Sequence, residues 1–96
     1  MSEPDYDIKF EGKKYRKEDF CYYPLNEPKK RMKYCSAFYH LCIKEGKIGK
    51  KRKVTREGKV VASWWDFIRY FNEVYKRCKR EGKPITWNDF RDYRWS

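Results

Sequence analysis

Twelve of the 25 lysines and arginines in this 96-residue chain fall between Lys29 and Lys59, where they face only two acids, Glu45 and Glu57. That segment alone carries 12 − 2 = +10 of the formal net charge of +11. Clustered charge of one sign repels itself and is relieved by a polyanion or an acidic surface. The chemistry on offer is ion pairing and charge-assisted hydrogen bonding to phosphate or carboxylate oxygens. Two groups stand out. Lys29, Lys30, Arg31 and Lys33 crowd the first turns of an expected helix, where the partial charge is already positive and each cation costs about 0.3 to 1 kcal/mol. A phosphate there would meet backbone N–H groups and four cations together. Lys50, Lys51, Arg52, Lys53, Arg56 and Lys59 lie on or beside an expected β-hairpin, and alternation along its strands lets about half of them face one ligand. The two groups are expected to form one surface, running from the helix start into the ribbon. By contrast, Lys76, Arg77, Lys79 and Arg80 close a helix, where cations complement the dipole and need no ligand. A scattered excess of charge would be an ordinary solvated face; this one is concentrated.

The remaining chemistry-bearing residues point away from catalysis and metals. Cys21, Cys35, Cys42 and Cys78 include no Cys-x-x-Cys pair, and His40 is the only histidine. On a helix His40 is about 200° from Cys42 and about 140° from Cys35, so the three cannot converge on zinc. Cys35 and Cys42 share a stripe but sit about 10 Å apart, too far for a disulfide with each other. Either could meet Cys21 or Cys78, but in a reducing cytoplasm four buried thiols are expected. No glycine-rich phosphate loop or nucleophile elbow is present, and the pair Glu18 and Asp19 lacks a second carboxylate cluster for a two-metal site. A ribonuclease working through Lys, Arg and Tyr would be invisible among these residues. The expectation is a non-catalytic protein with no cofactor and no metal.

The elements that must position these groups are marked by glycine. Four of the five glycines stand in Glu-Gly-Lys, at Gly12, Gly46, Gly58 and Gly82. Two read as hairpin turns, joining residues 7–10 to 13–16 and 52–55 to 59–62. The other two read as helix ends. One helix is expected from an Asn26 cap and Pro28 to about Glu45, with Met32, Cys35, Phe38, Tyr39 and Cys42 inward. A second opens at Ser63 with Asp66 as capping partner and closes at Gly82 and Pro84. Its apolar face is Trp64, Phe67, Ile68, Phe71, Val74, Tyr75 and Cys78. A short third helix follows Thr86, capped through Asp89, with Trp87, Phe90 and Tyr93 inward. Residues 42, 45–47 and 78, 81–83 coincide under a shift of 36, which shared helix-end grammar explains better than duplication.

Nineteen aromatics in a chain that is 41% charged supply most of the buried area and argue for a folded protein. The fold class expected is α+β: one small domain over residues 1–96, with two β-hairpins packed on two amphipathic helices plus a short C-terminal helix. No apolar run is long enough to span a bilayer and the acidic N-terminus is no secretory signal, so a cytoplasmic protein without membrane contact is expected. Absent glutamine with abundant Lys and Glu leans toward a thermophilic source. Residues 78–95 resemble a helix-turn-helix outline, but their second helix balances two acids against two bases, poor for entering a groove. Tyr22, Tyr23, Tyr34, Trp65 and Trp95 lie off the main apolar stripes and are candidates for stacking on bases. The function these features favour is phosphate-dominated nucleic-acid binding, DNA or RNA, of low sequence specificity, suited to a viral or mobile-element regulatory factor. The alternative is a small inhibitor or adaptor docking on an acidic surface of a larger nucleic-acid-processing protein.

Overall fold

The structure, a computed structural model, describes residues 6–24 and 28–95. Three two-stranded antiparallel ladders surround two helices. Strands β1 (Ile8–Phe10) and β2 (Lys13–Tyr15) form the first hairpin. Its turn puts both Glu11 (φ 50°) and Gly12 (φ 82°) in the left-handed region, the geometry a tight two-residue hairpin turn requires. Gly12 takes it freely, whereas Glu11 is held there at a steric cost of about 1 to 2 kcal/mol.

Helix α1 (Arg31–Lys44) is preceded by a 3-10 turn, Pro28–Lys30, and no described side chain caps its start. The expected Asn26 cap lies outside the described residues. Gly46 (φ 79°) ends α1: its N–H donates to Ile43 O and that of Lys47 to Cys42 O, the paired bonds that satisfy the last carbonyls. The buried face of α1 is wider than one stripe, taking in Ala37 and Leu41, while Met32 stays 49% exposed. The cause is packing on two sides. Tyr34 lies against Phe10, Phe20 and Tyr22, whereas Phe38 and Tyr39 meet Phe71 and Phe67 of the second helix.

The second hairpin pairs β4 (Arg52–Val54) with β5 (Val60–Ala62), which runs without a break into α2 (Ser63–Glu81). The capping role expected of Ser63 and Asp66 is not what these residues do. Ala62 is the N-cap, and Ser63, the first helical residue, is buried with its hydroxyl 2.7 Å from that of Tyr39. Asp66 instead accepts from the Tyr93 hydroxyl at 3.0 Å. Both polar groups serve tertiary contacts that local spacing does not reveal.

Two short pairings join distant parts of the chain. Strand β3 (Cys21–Tyr22) pairs with β6 (Ile85–Thr86), and Ile48 bridges Trp95 in parallel. The expected C-terminal helix is shorter than read, a single 3-10 turn at Trp87–Phe90, although the Thr86 and Asp89 capping box forms as expected. Phe20, Phe38, Phe67, Phe71 and Phe90 are fully buried in one core of contacting rings. Such pairs add about 0.5 to 1.5 kcal/mol each beyond their burial.

Candidate anion-binding surface

The ten cations singled out in the sequence separate into two stations. The guanidinium of Arg31 lies 5.1 Å from the ring of Tyr75, late in α2. The hairpin instead abuts Ser63 at the start of α2. Twelve residues of helix separate those points, about 18 Å. The expected continuous surface from helix start to ribbon is therefore two surfaces at opposite ends of α2.

At the first station tertiary structure answers part of the dipole conflict. Lys30 and Lys33 approach the Glu11 carboxylate at 3.6 and 3.7 Å, so the hairpin turn lends a counter-charge that no local pattern announces. Lys29 is exposed. At the second station Lys53 lies 4.8 Å from the Trp95 ring. Lys50, Lys51, Arg52, Arg56 and Lys59 are exposed. These five make no ion pair among the described residues.

What the structure adds is a groove of about 360 Å³ lined by Arg31, Asn72, Tyr75, Lys76 and Lys79. Three cations and an amide converge over an aromatic floor, and no acid is among the described residues that line it. Tyr75 is 6% exposed and its hydroxyl donates to Pro24 O at 3.3 Å, so the ring is fixed from behind. Arg31 offers a planar fork of donors, and the two ammonium groups offer compact charge, a set suited to phosphate oxygens. In the sequence a helix C-terminus alone accounts for Lys76 and Lys79. Only the antiparallel crossing of α1 over α2, seen in Arg31 on Tyr75 and Phe38 on Phe71, brings them to Arg31.

Burial pushes the nearby Cys35 thiol up to about 12, against a weaker opposing pull from Arg31. Cys42 is raised to about 12 by the same desolvation, and Cys78 is raised as well. Thiols held protonated are poor nucleophiles and poor metal ligands. All four cysteines are free; Cys35, Cys42 and Cys78 are buried as expected, but Cys21 on β3 is exposed, and no cluster of three His, Cys, Asp or Glu exists among the described residues.

Of the five aromatics proposed for stacking, only Tyr23 (50%) and Trp65 (66%) are substantially exposed. Tyr22 and Trp95 are buried and Tyr34 is stacked on Tyr22 at 4.4 Å, so those three build the core. A larger groove of about 690 Å³ runs between β1 and α1. Its walls mix Phe10, Met32 and Ala37 with Asp7, Lys33 and His40, a lining with no single charge sign. No helix among the described residues is long and apolar enough to cross a membrane. No known family model, curated protein or solved structure matches the chain, so the functional reading rests on these residues alone.

Proposed function

We propose that the protein is a non-catalytic nucleic-acid-binding protein that grips phosphates at both ends of α2. The observation that carries this is the groove of Arg31, Lys76 and Lys79, three cations gathered from two elements with no acid among the described lining residues. The exposed hairpin cations supply the second grip. Contacts of this kind fix position on a backbone and carry little sequence information. A cytoplasmic setting, with four thiols kept reduced, belongs to the same proposal.

The test is titration of labelled duplex DNA, single-stranded DNA and structured RNA at two salt concentrations. Three groove cations and about three from the hairpin predict a log–log slope of about −5 on duplex DNA. Replacing Arg31, Lys76 and Lys79 together by Gln should shrink that slope by about 3 units. An unchanged slope rejects the groove as the phosphate site.

One observation favours a second reading. Val54 and Val60, partners across the hairpin, are 69% and 61% exposed on the face that also carries Arg52. An aliphatic pair beside cations suits an acidic protein surface with an apolar centre better than it suits phosphate. Absence of binding to all three nucleic acids at low salt would move the proposal to that partner.

A further inference from the structure

We propose that the exposed ridge of α2 is a binding track for single-stranded nucleic acid, with Trp65 as the platform for one unpaired base; this rests on the nucleic-acid reading above and deepens it. The adjacent tryptophans at the start of α2 have different fates. Trp64 packs edge-on against Tyr39 at 4.9 Å, whereas Trp65 is turned about 100° further round and stands 66% exposed. Trp87 and Trp95 are each 8% exposed, which makes Trp65 the one open indole of the four.

The residues that follow Trp65 at alternating intervals of four and three are Arg69, Asn72, Lys76 and Lys79, so all five lie on one stripe. No acid interrupts it. Glu73, exposed one turn after Arg69 and one turn before Lys76, borders its edge, and Asp66 beyond it is engaged by the Tyr93 hydroxyl. From Trp65 to Lys79 the stripe spans about 21 Å, which at 3.4 Å or more per nucleotide accommodates at most about six nucleotides. It leads from beside the hairpin into the Arg31 groove and thereby links the two stations.

Strandedness follows from the indole. In a duplex each base face is covered by its neighbours, so only an unpaired base can lie on Trp65 while cations beside it hold the backbone. Aliphatic side chains could not distinguish the two forms in this way. An exposed aromatic followed by cations on one helical stripe is the minimal version of a stacking platform with an electrostatic track.

The test uses the full chain with an oligothymidylate of about ten nucleotides and a duplex of equal length. Trp65→Ala should weaken single-strand binding about tenfold to a hundredfold while leaving the salt slope unchanged, because no phosphate contact is lost. Trp65→Phe should restore most of the affinity, and duplex binding should stay within about twofold in both variants. Trp65 is exposed, so both variants should unfold at the wild-type urea midpoint. Undiminished single-strand affinity in Trp65→Ala, or an equal loss on duplex, overturns the stacking track while the phosphate reading stands. Wild-type protein that binds neither probe at low salt removes both.

Discussion

At the residue scale the buried thiols give the clearest expectation. Cys35 and Cys42 are fully buried and pushed up to about 12 from an ordinary 9.0, so the folded state holds protons that the unfolded chain releases. Stability is therefore unaffected by these groups at neutral pH and falls as pH rises from about 9 toward about 12, by up to about 1.4 kcal/mol per unit for each thiol. Burial also raises Tyr34, Tyr70 and Tyr93, the last helped by its bond to Asp66, which adds to the alkaline loss. Urea midpoints at pH about 8 and about 10 should show the drop, and replacing Cys35, Cys42 and Cys78 by Ala should flatten part of it. An uncharged alkylating reagent should modify only the exposed Cys21 quickly in the native protein. Rapid modification of all four would contradict the packing around α1 and α2.

At the element scale Asp89 joins three parts of the chain. One carboxylate oxygen accepts from the Thr86 N–H at 2.9 Å to cap the last 3-10 turn, and the other meets the Arg77 guanidinium at 2.6 Å. The backbone carbonyl of Asp89 also accepts from the Tyr70 hydroxyl. Asp89→Ala should cost about 1 to 3 kcal/mol, the sum of a lost cap and a partly buried ion pair, Asp89 being 13% and Arg77 44% exposed. Asp89→Asn should recover the capping share alone, and chemical denaturation of the two variants checks the difference. This capping box was legible in the sequence because it is local: Thr and Asp three apart before an apolar turn. The positions of α2 and of both hairpins were legible for the same reason. The β3 to β6 pairing was not, since Cys21–Tyr22 is too short to show alternation and its partner lies more than sixty residues away. Trp95 looked available for stacking because nothing in its neighbourhood shows the parallel bridge to Ile48 that buries it. Likewise, Lys76 and Lys79 satisfied a local rule at their helix end, so their convergence with Arg31 required the crossing of α1 and α2.

At the scale of the whole molecule, binding and stability should respond to salt with opposite signs. The two cationic stations are about 18 Å apart along α2, inside a Debye length of about 30 Å at 0.01 M salt and outside one of about 10 Å at 0.1 M. They repel each other in dilute buffer and become nearly independent at moderate ionic strength. Raising salt across that range should therefore increase the thermal midpoint of the free protein while nucleic-acid affinity falls. The gain should be smaller in a variant with Lys50, Lys51 and Arg52 changed to Gln, which halves the charge of one partner in the repulsion but leaves the core rings untouched. The same substitutions should lower the salt slope of binding, because the charges that strain the free molecule are the ones a phosphate chain relieves. Thermal scans paired with titrations over the same salts test the link. A midpoint that stays level while affinity drops would mean the excess charge is already compensated within the fold, and the ligand would owe its binding to the groove alone.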